Sequence, residues 1–227
     1  LYILAGANST RIGGDKARYR WRGRPLLRHV VSQFSTVTGP VVVVAAAADG
    51  YRDLELVTIA DRRPGLGPLA GIHAGLKRTG GKAAFFLACD MPLVTSRLIR
   101  RLLEAAAKSS APALVARTPR RAQPLCGVYS TDLAPALAKR LETGRDLGLR
   151  RFLKENGADY LDFTGEEAAC FRDVDSPEDL PILQEAFGQV EPLPVRRVQI
   201  RRAGRPELQE DLLAVERTLQ LYLNYLF

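Results

Sequence analysis

Histidine and cysteine are scarce, with two of the first (His29, His73) and three of the second (Cys89, Cys126, Cys170) in 227 residues. No two cysteines form a C-x-x-C pair and the histidines lie far apart in sequence. Neither a zinc cage nor a disulfide framework is expected, and a reducing compartment fits. Long apolar runs are missing as well. The longest, Val41–Ala48, falls well short of the roughly 20 residues a membrane span needs. No charged segment leads into an apolar one as a secretory signal would. The expectation is a cytoplasmic protein with no membrane partner. The chain begins at Leu1, without Met, inside a strand-like segment and ends at Phe227 inside an apolar run, which leaves open residues beyond either terminus.

What is present is enough to build a core. The chain is 46% hydrophobic and 26% charged, with 19 Gly and 14 Pro. Its length suits one domain, or one with an appendage, and buries apolar surface without disulfide staples. Lys and Arg number 33 against 25 Asp and Glu, a net charge of +8. Most of that excess lies between Arg11 and Arg28, where seven basic residues face only Asp15. Such a stretch is a solvated face, a site for a polyanionic small molecule, or a nucleic-acid contact. Nucleic acid would call for aromatics among the basic residues; only Tyr19 and Trp21 qualify, and a nucleic-acid partner is not expected.

Strand-like and helix-like segments alternate. Apolar runs at 1–5, 41–45, 56–60, 83–89, 113–116, 125–129 and 159–163 read as strands. Helices are expected at 25–34, with Pro25 in the first turn, and at 68–78, 96–108, 134–141, 148–155 and 177–186. Ser or Thr before Ser96 and Ser176 before Pro177 are the expected caps. This order implies a three-layer α/β/α, Rossmann-like sheet, mostly parallel, with helices on both faces. Ligands in such sheets bind outside the carboxyl ends of the strands. Three strands run into Gly6, Asp61 and Asp90, which should therefore face one crevice. After Gln189 the pattern breaks at two prolines, so 1–188 is taken as the domain and 189–227 as an appendage.

Three motifs carry chemistry. Leu4-Ala5-Gly6-Ala7-Asn8-Ser9-Thr10-Arg11-Ile12-Gly13-Gly14-Asp15-Lys16 follows a strand. Its small residues let backbone N–H groups approach phosphate oxygens, and Arg11 and Lys16 supply charge. It is neither a Walker A loop nor the G-x-G-x-x-G fingerprint. Asp61-Arg62-Arg63-Pro64-Gly65-Leu66-Gly67-Pro68 joins a strand-end carboxylate to a flexible loop and a helix start, a combination able to hold a base and its ribose. Ala88-Cys89-Asp90-Met91-Pro92 places a carboxylate at the end of a buried strand. That is costly unless the group is paired or holds a cation, and Mg²⁺ is commonly bound by one or two carboxylates plus substrate phosphates. Asp90 either does this or caps the following helix. Cys89 reads as a small core residue.

On these residues the chain resembles the nucleotidyltransferases of molybdenum cofactor synthesis, the guanylyltransferases above all. Gly67-Pro68-Leu69-Ala70-Gly71, Gln123-Pro124-Leu125-Cys126-Gly127-Val128-Tyr129 and Val174-Asp175-Ser176-Pro177-Glu178-Asp179-Leu180 match that family's later landmarks. The resemblance covers about residues 1–188. It implies transfer of GMP from GTP to molybdopterin, dependent on Mg²⁺, with pyrophosphate released. Carried across, Leu4, Ala5 and Gly6 would contact the nucleotide and Lys16 its phosphates. Asp61 and Asp90 would complete the GTP–Mg²⁺ site. In the transfer itself, and apart from the resemblance, Arg11 and Lys16 are expected to offset charge on the leaving pyrophosphate, and Asp175 is a further candidate for closing the metal site. Arg145, Arg150 and Arg151 are either partners of the pterin phosphate or surface charge on a short helix. Molybdoenzymes or cofactor-delivery proteins would be the protein partners. Ala7 stands where the family has a second Gly, no Asn follows the second strand, and Asp173-Val174-Asp175 stands for Asn-x-Asn. A cytidylyl- or sugar-phosphate nucleotidyltransferase, or an inactive nucleotide-binding homologue, remains the alternative. In the appendage, Glu210–Arg217 and Leu223-Asn224 are similar, over a short stretch, to the opening of formate dehydrogenase accessory sulfurtransferases; an amphipathic interaction tail is the preferred reading.

Overall fold

The computed structural model describes residues 1–5, 14–34, 40–176 and 178–186. Gly6, Ala7, Arg11 and the appendage from 189 onward lie outside the described residues, so the expectations placed on them are neither supported nor opposed. A seven-stranded sheet runs through the centre. Its strands are β1 (Tyr2–Leu4), β4 (Val42–Ala45), β5 (Thr58–Ala60), β6 (Ala83–Ala88), β7 (Ala113–Arg117), β8 (Ala122–Ser130) and β9 (Asp159–Asp162), in spatial order β5-β4-β1-β6-β8-β7-β9. A separate two-stranded ribbon pairs β2 (Arg20–Trp21) with β3 (Arg24–Pro25).

Alternation along the strands decides which helices cover which face. Ile3, Val43, Phe85 and Leu87 point to one side, where Leu27 and Phe34 of α1 (Leu26–Phe34) and Ile99 and Leu102 of α3 (Ser96–Ala106) cover them. Tyr2, Val44, Phe86 and Tyr129 point to the other. There Leu69 and Ile72 of α2 (Pro68–Leu76), Leu137 of α4 (Ala134–Thr143) and Phe152 of α5 (Leu149–Glu155) meet them. Helix α2 comes unusually close. A Cβ on Gly75 would lie 2.5 Å from Phe86 Cε1 and 3.2 Å from Tyr2 Cγ. Two short helices, α6 (Gly165–Ala169) and α7 (Asp179–Ala186), complete the described chain. Leu180 and Leu183 of α7 join Trp21, Leu26, Leu93 and Val174 in a third, smaller cluster.

The expected layers and all seven expected strands are present. The pairings β1–β4, β1–β6, β4–β5 and β7–β9 are parallel. Strand β8, however, is antiparallel to both β6 and β7. The cause is local: β7 and β8 are joined by a tight turn in which Thr118 N–H bonds Arg121 O at 2.9 Å, too short for a crossover. Gly127 sits at the register shift of this pair, where a Cβ would meet Leu114 O at 2.5 Å.

Helix boundaries differ in two instructive places. Pro25 is not in the first turn of α1 but in β3, immediately before it. At α7 the cap is inverted. The Asp179 carboxylate accepts from the backbone N–H of Asp175 at 2.9 Å and of Ser176 at 2.7 Å, and Ser176 Oγ bonds it as well. At α3 the expectation holds, Thr95 Oγ1 accepting from Leu98 N–H. The ribbon at 20–25 and α6 are additions to the sequence reading, each too short for periodicity to register.

Candidate nucleotide-binding site

A cleft of about 390 Å³ opens at the carboxyl ends of β1, β4, β5 and β6. The strand ends are laced together to form its floor. Ala5 N–H bonds Val44 O at 2.9 Å, Cys89 N–H bonds Leu4 O at 3.1 Å and Asp61 N–H bonds Ala45 O at 2.6 Å. Leu4, Ala5, Lys16, Asp61 and Asp90 all line this one cleft. Residues nearly ninety positions apart meet because parallel strands end on the same side of the sheet. Asp15, Ala46 and Leu125 also line it. Asp15 sat in the quoted motif without a role, and Ala46 occupies the wall after the second strand, where the sequence offered no Asn.

The wall opposite Asp90 is the loop Arg63–Gly67 and the start of α2. Asp61 turns this loop back by accepting from Arg63 N–H at 2.8 Å. Gly67 enters the helix at φ 75° and ψ −163°, a conformation that a side chain disfavours. Burial raises the Asp61 carboxyl above its ordinary value, against the opposing pull of the Arg63 N–H and of His73.

The charged end is built around Lys16. Its Nζ lies 3.7 Å from Asp90 Oδ2 and donates to Asp175 Oδ1 at 3.3 Å. Asp175 is therefore near the metal candidate, brought there from the far end of the chain by a backbone bond from Val174 N–H to Asp90 O of 2.8 Å. Asp173 approaches from the same segment, paired with Arg121 on the β7–β8 turn. Burial pushes the Asp90 carboxyl up to about 6, and the charge of Asp173 adds to the rise, while Lys16 opposes it. Burial likewise raises Asp173, against Arg121. Three carboxylates thus share Lys16 and Arg121, and the two inner ones are held short of positive charge.

That imbalance suits a divalent cation. Among the described residues no group of three His, Cys, Asp or Glu forms a metal cage. Asp90, and Asp175 beside the same Lys16, are the carboxylates that could hold Mg²⁺, an ion commonly bound by one or two carboxylates plus substrate phosphates. Cys89 is buried, and burial above all raises its thiol well above the ordinary value, so it is a packed core residue rather than a nucleophile.

Two arginines of the basic stretch are paired with acids from the 53–55 segment. Arg18 bonds Asp53 at 2.5 and 3.0 Å, and Arg28 bonds Leu54 O and Glu55, both at 2.9 Å. Of the described basic residues in that stretch, Lys16 alone lines the cleft. Among the pterin-phosphate candidates, Arg151 is engaged by Asp146 and Glu155, each at 2.8 Å, and none of Arg145, Arg150 and Arg151 lines the cleft.

A doubly covered α/β sheet binds its ligands in the crevice outside the carboxyl ends of the strands, which is where this charged cleft lies. The model of the MobA-like NTP transferase domain matches residues 1–160. A molybdenum cofactor guanylyltransferase of Syntrophotalea carbinolica is 35% identical over 159 residues, covering 70% of this chain and 75% of that protein. One from Vibrio campbellii is 32% identical over 191 residues, covering 83% and 94%. The crystal structure of molybdopterin-guanine dinucleotide biosynthesis protein A from Archaeoglobus fulgidus shares the fold, with a TM-score of 0.71 and 24% identity over 83% of this chain and 98% of that one. The chain belongs to the MobA-like NTP transferase family and is a nucleotidyltransferase by that membership.

Proposed function

We propose that this protein transfers GMP from GTP to the terminal phosphate of molybdopterin, releasing pyrophosphate. The observation that carries the reading is the meeting of Lys16 and Asp90, 3.7 Å apart, in one cleft at the strand ends. The names of its relatives supply the acceptor and the base.

The acceptor phosphate attacks the α-phosphorus of GTP in line, forming a new P–O bond, and the α–β bridge breaks toward pyrophosphate. Phosphoryl-type transfer needs positioning and charge neutralisation more than covalent help. The Leu4–Ala5 strand end and the Gly67–Pro68 wall hold the nucleoside, with Asp61 at its side. Lys16 offsets the charge growing on the leaving pyrophosphate, a preorganised electrostatic contribution. Asp90, with Asp175, would hold Mg²⁺, which when bound neutralises the triphosphate and orients it. A phosphate nucleophile is already ionised near pH 7, so no general base is needed. The reaction belongs to the cytoplasm in this reading, and no helix among the described residues is long and apolar enough to cross a membrane.

Two measurements test it together. Thermal shift with GTP, CTP and UTP at fixed Mg²⁺ should favour GTP, because bound ligand stabilises by mass action. Pyrophosphate release should require both GTP and molybdopterin. A preference for CTP would reassign the protein to the cytidylyltransferases, and GTP binding without pyrophosphate release would make it an inactive nucleotide-binding homologue.

A further inference from the structure

The ammonium group of Lys16 is held from one side by Asp90 and Asp175. From the other side its turn is held by Asp15, and Asp15 itself by Tyr51, a residue that belongs to none of the sequence motifs. Lys16 opens a short 3₁₀ turn, Lys16–Arg18, whose cap is Asp15: the carboxylate Oδ1 accepts from Ala17 N–H at 3.0 Å. The same oxygen accepts from the hydroxyl of Tyr51 at 3.2 Å. Tyr51 is 4% exposed and sits at the end of the loop that follows β4. Arg18 ties the turn to that loop again, donating to Gly50 O at 2.9 Å and to Asp53, with its guanidinium 5.4 Å from the centre of the Tyr51 ring. The turn that presents Lys16 is thus clamped to the 50–53 loop at both its cap and its last residue.

We propose that Tyr51 is a positioning residue for the nucleotide phosphates: its hydroxyl fixes the Asp15 carboxylate, and through it the turn that aims Lys16 into the cleft. This rests on the reading of Lys16 as the phosphate-binding cation. A long, flexible side chain loses rotamer freedom when it engages an anion. A fixed backbone origin limits that loss, and a buried hydroxyl bonded to a carboxylate is a directional way to fix it. Tyr51→Phe removes the hydroxyl and keeps the ring, its packing and its contact with Arg18.

The test compares GTP and GMP binding by calorimetry, at fixed Mg²⁺ and without acceptor, for the wild-type protein, Tyr51→Phe, Lys16→Ala and the double variant. Tyr51→Phe should weaken GTP binding about tenfold, the worth of one hydrogen bond to a charged group, and change GMP binding less than about twofold. In the Lys16→Ala background the same substitution should have no further effect on GTP. Asp15→Asn, which keeps an acceptor for the turn but loses the charge, should shift GTP binding in the same direction. Wild-type GTP affinity in Tyr51→Phe overturns the proposal. So does an equal loss of GTP and GMP, or an undiminished effect without Lys16. If Lys16→Ala itself binds GTP as the wild-type protein does, the phosphate role of Lys16 falls instead.

Discussion

Lys16 Nζ stands 3.7 Å from Asp90 Oδ2 across seventy-four positions of sequence. One comes from a turn after the first strand and the other from the end of the fourth strand of the sheet in chain order. The pair brings a cation and a partly desolvated carboxylate to one end of a 390 Å³ cleft.

Asp90 is carried at a cost. Its carboxyl is raised to about 6 by burial first and then by Asp173. In the folded state it holds a proton that the unfolded chain releases, so its ionisation lowers stability as pH rises from about 4 through 6. Asp90→Asn should therefore stabilise the protein at pH 7 without Mg²⁺, by about 1–2 kcal/mol, while abolishing pyrophosphate release. The gain should shrink below pH 6. Urea unfolding at pH 7 and pH 5, beside a turnover assay, checks both halves.

Lys16→Ala should lower kcat by about 10²–10³, as expected for one preorganised charge on a leaving group. Steady-state pyrophosphate release measures it, and the unfolding midpoint at pH 7 should fall, because Asp90 loses the cation that opposes its desolvation.

His29 gives a pH dependence of the opposite sign, away from the cleft. Its Nε2 lies 3.2 Å from Pro92 O in a buried site, and burial lowers its pKa from 6.5 to about 4. Between those values the unfolded chain binds a proton that the folded chain refuses, so this contribution is full above 6.5 and is lost as pH falls. From pH 7 to pH 5 the wild-type protein should lose about 2 kcal/mol more stability than His29→Gln. Parallel curves for the two would show that His29 does not titrate as its burial requires.

Two glycines separate fold from site. Gly75→Ala presses a methyl against Phe86 and Tyr2 and should cost about 1–3 kcal/mol without changing nucleotide affinity. Gly67→Ala meets no neighbour but strains a φ of 75°, about 1–3 kcal/mol, and should weaken GTP binding because the cleft wall moves. Urea midpoints and calorimetry for both variants check the contrast.

Strand periodicity and the placing of Asp61 and Asp90 at strand ends made the layers and the cleft legible in the sequence, since parallel strands end together. The antiparallel seating of β8 was not legible, because an apolar strand carries no mark of direction and only the short 118–121 turn decides it. No spacing in the sequence places Asp175 beside Lys16; what brings it there is the Val174–Asp90 backbone bond, which leaves no pattern in side-chain types. The basic stretch looked like an open anion site because Asp53 and Glu55, which neutralise Arg18 and Arg28, lie some thirty residues away. Tyr51 carried no signal at all, being one aromatic in a loop.

The most direct measurement follows the α-phosphorus of GTP. With GTP labelled at that atom, Mg²⁺ and molybdopterin, the label should move into a pterin dinucleotide while unlabelled pyrophosphate is released, and Asp90→Asn should stop both. Label recovered only as GTP, or as GMP free in solution, or transferred at wild-type rate by Asp90→Asn, would contradict the assignment.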